Sequence, residues 1–187
     1  MIVRELRVED VRDAVRILTL SFEREIFCVF RDLELAKEIF FEYFSENLDG
    51  CIVAEEERVI GFAYTSFQEH KWGSFLRKKF GFVKGSKLSL LLSYLCPNPK
   101  KDEAVINFIS VSPLRRGKGV GTKLLERIID DCKKRGKRKV KCWVSVENDA
   151  GLALFTKFNF KIAKMIDNKF AEKNFGQRQW YLMELQL

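Results

Sequence analysis

Val111-Ser-Pro-Leu-Arg-Arg-Gly-Lys-Gly-Val-Gly-Thr122 is the stretch on which the reading of this chain turns. An apolar, extended segment over residues 104–111 leads into it. An amphipathic helical pattern follows, with Val120, Leu124, Leu125, Ile128, Ile129 and Cys132 at helical spacing. Glycines 117, 119 and 121 stand at the junction, where they permit tight backbone geometry without a side-chain barrier. A helix starting there points unpaired N–H groups and the positive end of its dipole outward. Such a turn can cradle a phosphate or pyrophosphate. It is not a P-loop, since Lys118 lies between two glycines and no Gly-Lys-Ser/Thr follows. Nor is it a dinucleotide fingerprint, which needs G-x-G-x-x-G and an acidic residue on a second strand. Taken alone, the loop is either a phosphate cradle or a plain turn that opens a helix.

Composition narrows the setting. At 187 residues and 47% hydrophobic, with three prolines and no Ser/Gly-rich linker, the chain is expected to form one globular domain over residues 1–187. The apolar run at 88–95 is broken by serines and far too short to span a bilayer. The opening Met-Ile-Val-Arg-Glu-Leu-Arg alternates in charge and lacks a signal-peptide core, so a cytoplasmic protein is expected. Cysteines 28, 51, 96, 132 and 142 are scattered without a C-x-x-C pair. They read as reduced, mostly buried thiols, with neither a disulfide frame nor a zinc site. The single histidine, His70, lies in a different kind of segment and makes a poor partner for a cysteine nucleophile.

The net charge is +8. Much of it falls between Lys133 and Lys141, with a second group at Arg77, Lys78, Lys79, Lys84 and Lys87. The plain reading is a solvated helix end whose cations complement the helix dipole. The sharper one is a surface for nucleic acid or for a phosphorylated cofactor. No nucleic-acid-binding motif accompanies the charge, which favours the plain reading.

Periodicity orders the rest. Residues 2–8 alternate as a strand, and Glu9-Asp10 opens a helix through Val11, Ala14, Val15, Leu18 and Phe22. Leu35, Ala36, Ile39, Phe40, Tyr43 and Phe44 mark a second helix. Residues 51–54 and 59–67 form a hairpin around an acidic turn. Two helical pieces are expected at 72–80 and 88–95, then a strand at 104–111, the glycine loop and its helix. A strand at 140–146, a short helix from Asn148 to Phe158, and closing strands at 160–167 and 180–187 complete the order. Strands and helices in this order imply an α/β fold, a mixed sheet with helices on both faces.

With these elements in place, the chain resembles the GNAT superfamily of N-acetyltransferases. Arg116-Gly-Lys-Gly-Val-Gly121 matches that family's [Q/R]-x-x-G-x-[G/A] signature. Asn148-Asp-Ala-Gly-Leu-Ala-Leu-Phe155-Thr-Lys-Phe-Asn-Phe160 resembles its N-x-x-A-x-x-L-Y-x-K-x-G-F block, and residues 3–11 its first strand and acidic helix start. The resemblance implies a mostly antiparallel sheet in which one parallel strand pair splays, around Ile109–Val111 and Cys142–Val144. It implies that backbone groups of Ile109, Ser110 and Val111 hold the pantetheine arm of acetyl-CoA. The pyrophosphate would rest on Arg116, Gly117, Lys118, Gly119, Val120 and Gly121, with Thr122 just inside the helix. Asn148 would contact the cofactor from the next helix, or serve as that helix's N-cap. The implied reaction moves an acetyl group to a primary amine, with no metal, and with neither a membrane nor a nucleic acid as partner, in a monomer or homodimer.

Such a transfer needs a proton acceptor for the amine. Glu103, opening the strand before the loop, is the expected base; otherwise it is a strand-end charge beside Asp102. Asn107, amid apolar neighbours, is placed to orient water or substrate. The chain departs from the pattern at three points. Phe155 stands where many relatives carry a tyrosine acid, so another phenol such as Tyr64 or Tyr181, or water, would have to protonate the thiolate. Trp143 stands where ribosomal-protein alanine acetyltransferases carry a glutamate. Asn159 replaces a glycine, a milder change because Asn tolerates the left-handed conformation. Two further readings follow, a non-catalytic acyl-CoA-binding domain and, on charge alone, a nucleic-acid-binding module.

Overall fold

The computed structural model describes residues 1–187. The chain runs through β1 (Ile2–Glu5), α1 (Val11–Ser21), α2 (Glu23–Phe30), α3 (Leu33–Glu46), β2 (Cys51–Glu55), β3 (Val59–Ser66) and α4 (Trp72–Leu95). It continues with β4 (Glu103–Val111), α5 (Val120–Lys134), β5 (Lys139–Ser145), α6 (Asp149–Lys157), β6 (Lys161–Asp167), α7 (Lys169–Phe175) and β7 (Gln179–Gln186). The strands form one sheet in the order β1-β2-β3-β4-β5-β7-β6. Only β4 and β5 run parallel; every other neighbouring pair is antiparallel.

Each sheet face has its own apolar layer. On one side α1, α2, α3 and α4 bury Phe40, Tyr43, Phe44 and Trp72 against Phe62, Tyr64 and Phe108. On the other, α5 lays Val120, Leu124, Leu125, Ile128 and Cys132 on Ala54, Ala63, Ala104, Ile106 and Val140. The first layer is strongly aromatic: the Tyr43 and Trp72 rings stack with centroids 3.4 Å apart, and Phe40 meets Trp72 edge-on. Such edge-to-face and stacked pairs add to what burial alone supplies. Among the cysteines, Cys51, Cys96, Cys132 and Cys142 are buried and Cys28 partly so, all as free thiols.

Two helices exceed what periodicity suggested. Residues 23–30 form a separate α2, because the chain breaks at Phe22 and restarts. Its C-cap, Arg31, takes the left-handed conformation before Asp32 caps α3 through its side chain. Residues 169–175 form α7, capped by Asn168 and closed by Gly176 at φ 70°. Both are short, and the wet side of each hides its amphipathic pattern. The two pack against each other over the face that carries Phe108.

Candidate active site

The sheet is discontinuous at one place. Pairing of β3 with β4 shifts between Tyr64↔Phe108 and Thr65↔Ile106, which leaves Asn107 without an opposite number. A bulge of this kind bends its strand and reverses the side-chain parity beyond it. Ala104 and Ile106 therefore face α5, and so do Ile109 and Val111, whereas Phe108 turns to the aromatic layer. At the same point β4 parts from β5: the parallel register runs from Glu103↔Lys139 to Ile106↔Cys142 and stops. Residues 107–111 continue along β3 with their other edge unpaired by β5.

The open edge leads straight into the glycine loop. After a 3-10 turn at Pro113–Arg115, Gly117 and Gly119 take φ values of 73° and 80°. An L side chain is strained at such angles, so these glycines are what let the chain reverse into α5. The first helical acceptor is the Gly119 carbonyl, bonded by the Lys123 amide at 3.1 Å. The N–H groups of Gly117 through Thr122 donate to no acceptor in the protein. A Cβ built on Gly117 or Gly119 would meet no atom within 4 Å, so the space before these amides is clear. This row of free donors at a helix start suits a pyrophosphate. Arg116 is exposed, its Nε donating to the Val111 carbonyl at 3.3 Å.

Beyond the gap, on the aromatic side, lies a cavity of about 280 Å³. Phe22, Ile26, Phe108, Trp143, Phe175 and Trp180 give it a mostly apolar wall, and the end of α4 and the residues after it add Tyr94, Leu95 and Pro97. Its polar groups are few: Glu25, Ser93, Asn107 and Asn168. The Asn107 Nδ2 donates to Ser66 Oγ at 2.6 Å, while its Oδ1 is buried without a partner. Burial lifts the Glu25 carboxyl above the ordinary carboxylate range, against a smaller pull from its own backbone N–H and from Arg24. A carboxylate made more basic by its surroundings, lining the same cavity as a residue with an unpartnered amide oxygen, is a group able to accept a proton from an amine.

The remaining sequence candidates fall elsewhere. Glu103 sits in the paired part of the β4–β5 ladder, about 13 Å along the strand from Asn107 at the usual rise per residue. Its carboxylate meets Lys141 at 2.6 Å, and Lys141 also meets Glu184 at 3.5 Å. Burial alone would raise the Glu103 carboxyl, but the hydrogen bond and charge of Lys141 outweigh it and hold the group low. The structure thus does not bring Glu103 to the cavity. Asn148 caps α6, its side chain accepting from the Gly151 amide at 2.9 Å. Asn159 adopts φ 63°, the left-handed turn that Asn tolerates. Phe155 is buried edge-on against Phe160 with centroids 5.1 Å apart.

Neither of the phenols expected from sequence lines the cavity; Tyr94 does. Tyr64 is buried among Tyr43 and Phe44, and that burial pushes its hydroxyl well above the usual value. Glu25 and Tyr94 escape a sequence reading because each belongs to an element whose facing depends on tertiary packing. In the sequence Glu25 is one of three consecutive charges, Glu23-Arg24-Glu25, before the apolar run 26–30, and nothing local singles it out.

Comparison with known proteins agrees with this geometry. The model of the acetyltransferase (GNAT) family matches residues 13–160. An N-acetyltransferase of Methanocaldococcus jannaschii is 37% identical over 67 residues, which is 36% of this chain and 30% of that protein. The L-2,4-diaminobutyric acid acetyltransferase of Nocardia farcinica is 30% identical over 73 residues, 39% of this chain and 37% of that one. The matched stretch thus spans about a third of each relative's length. In fold, the ribosomal-protein-alanine N-acetyltransferase of Brucella melitensis superposes with a TM-score of 0.68 at 18% identity, covering 100% of both chains. An N-acetyltransferase of Staphylococcus aureus gives 0.65 at 20% identity over 99% of this chain and 97% of that one. With the splayed parallel pair, the glycine loop at its end and the family match across most of its length, this chain belongs to the GNAT acetyltransferase family.

Proposed function

We propose that the protein transfers the acetyl group of acetyl-CoA to a primary amine carried on an apolar body. The observation that carries this reading is the unpaired edge at 107–111, with free loop amides at one end and an apolar cavity holding Glu25 on its flank. The amides of residues 116–122 would bind the pyrophosphate, and backbone groups of Ile109, Ser110 and Val111 the pantetheine arm. Asn148 remains in that role only through the helix end it caps. Acetyl-CoA supplies an activated acyl group with a thiolate leaving group.

An amine enters as an ammonium, since lysine titrates near ~10.4 and an α-amine near ~8. Glu25 takes its proton, and the Asn107 Oδ1 accepts a remaining N–H and aims the lone pair. The amine nitrogen then bonds to the thioester carbon and the carbon–sulfur bond breaks, while the second proton that the nitrogen sheds in becoming an amide passes, through water or the Tyr94 hydroxyl, to the departing thiolate. A backbone N–H near Val111 would steady the developing oxyanion. Positioning two reactants in one dry gap contributes much of the rate. The relative named for acetylating diaminobutyric acid supports an amine acceptor, while the apolar walls here favour amines less polar than that one.

The buried, hydroxyl-free Phe155 favours a second reading, a domain that binds acyl-CoA without turning it over. Release of CoA from acetyl-CoA separates the two, measured across arylalkyl amines, peptide N-termini and polyamines. Release with the apolar amines and little with polyamines is the expected result. Tight acetyl-CoA binding with no release across the panel would establish the second reading instead.

A further inference from the structure

We propose that α4 is a membrane-docking hairpin, which seats the protein on anionic phospholipid surfaces through an apolar apex and a basic collar. Of the residues between Ser66 and Glu103, the 24 of α4 fold into two antiparallel helical segments joined at Gly81, whose φ 75° and ψ 174° break the helix. That conformation is open essentially to glycine alone. The segments are locked face to face, because a Cβ on Gly85 would lie 2.5 Å from the Leu76 carbonyl oxygen and from the Arg77 Cα. The hairpin therefore presents its tip rigidly.

At that tip Phe82 is 79% and Val83 83% exposed. No core function accounts for two large apolar side chains held so far into solvent. Leu90 and Tyr94, one turn apart on the second segment, add exposed apolar surface that reaches the rim of the cavity, with Ser86 and Lys87 separating it from this apex. Around it stand Arg77, Lys78, Lys84 and Lys87, none of them in a salt bridge, while Lys79 pairs with Glu42. From Lys71 to Lys101 there is no Asp or Glu at all. The five cations of this hairpin are the second charge group of the sequence; Lys78, Lys79, Lys84 and Lys87 flank the turn at Gly81, while the Arg77 guanidinium lies back beside Gly73.

Charge and apolar groups together select the occupant. A second copy of this chain would bring like charges together across the contact. A nucleic acid would satisfy the cations but offers nothing to Val83 and Leu90. An anionic bilayer surface rewards both, taking the apolar apex below its headgroups and the collar against its phosphates. No helix of the protein is long and apolar enough to cross a membrane, so the contact is one of lying on the surface.

Co-sedimentation of the whole protein with vesicles tests this. Equal parts of phosphatidylglycerol and phosphatidylcholine should carry the protein down, and phosphatidylcholine alone should not. The double variant F82D/V83D should lose at least about tenfold in partitioning, the removal of apolar insertion being the cause. The triple variant K78E/K84E/K87E should lose it entirely. All the altered side chains are exposed, so circular dichroism and acetyl-CoA binding should match the parent. Absence of sedimentation with the anionic vesicles would overturn the proposal. So would sedimentation that survives F82D/V83D while generic RNA competes for it, which would mark a purely electrostatic polyanion surface.

Discussion

Residues 103–106 and 107–111 are two halves of one strand, and they differ in pairing, in charge and in how many polar groups find partners. In the first half β4 pairs with β5 throughout and with β3 at Val105 and Ile106, and its one charged side chain is paired with Lys141, which Glu184 also meets. In the second half one edge is free, Asn107 Oδ1 and Ser110 Oγ are buried without partners, and the strand ends in a loop of unpaired amides. Satisfied hydrogen bonds and paired charges stabilise a sheet. Unsatisfied ones cost stability and mark where another molecule completes the structure. The bulge at Asn107 is the hinge between the two regimes, which is a common use of bulges beside active sites.

The sharpest way to break this contrast is to block the open end. Trp in place of Gly119 would fill the clear space before the loop amides, at a residue whose φ of 80° also disfavours any side chain. Acetyl-CoA affinity, read by calorimetry, should fall at least about 100-fold, in line with losing several charge-assisted hydrogen bonds. Far-UV circular dichroism should stay that of the parent, because nothing else in the protein packs there. Gly119→Ala separates strain from obstruction: it carries the same left-handed penalty of about 1 to 2 kcal/mol but leaves the amides accessible. Parent-like affinity in a folded Gly119→Trp protein would remove the cradle from consideration.

Next in size is the acceptor side of the same half. Glu25→Gln keeps the shape and removes the basic carboxylate, so kcat should drop by about 10² to 10³ with acetyl-CoA binding unchanged. Glu25 must be ionised to act, so activity falls as pH falls through its titration. Burial raises that titration, so the acidic limb of kcat/KM in the parent lies above the ordinary carboxylate range. The limb should vanish in the variant. A limb that persists unchanged would assign the proton to another group.

These two predictions concern features of unequal legibility. The loop could be read from sequence because its requirements are local: glycines at positive φ, a helix pattern behind and a strand before. The same holds for Asn148 and Asn159, whose roles as cap and left-handed turn are fixed by neighbours a few residues away. Glu103 illustrates the opposite case. Its charge and its place before the loop suit a base, but the strand opens toward its other end, around Ile109–Val111, and only pairing with β5 shows that Glu103 lies at the far end of the closed part. The clue to that decision was present in Val-Ile-Asn-Phe-Ile-Ser-Val, where Asn107 interrupts the alternation, yet a bulge and a plain polar residue look alike without the register of β3. Glu25 and Tyr94 lie further still from local information. They reach one cavity because α2, α7 and the α4 hairpin converge on it from distant parts of the chain.

The smallest expected effect is at the closed half. Glu103→Gln removes one carboxylate from the cluster with Lys141, leaving that ammonium to Glu184, which Lys139 already meets at 3.0 Å. The loss should be about 1 to 2 kcal/mol near neutral pH, the range of a partly buried pair whose remaining cation keeps a partner. Its pH dependence has a definite sign. The folded protein holds the Glu103 carboxyl below its unfolded value, so the pair stabilises the fold above that unfolded value. The contribution fades as pH falls through the folded one. Parent and variant melting curves should therefore differ at neutral pH and converge in acid. The acetyl-transfer rate should stay within about twofold of the parent, because the side chain lies in the half of β4 that pairs with β5 and not in the half that opens. A large loss of kcat with an unchanged melting curve would reverse the assignment. It would return the base to Glu103 and make the closed end, despite its satisfied pairing, part of the chemistry.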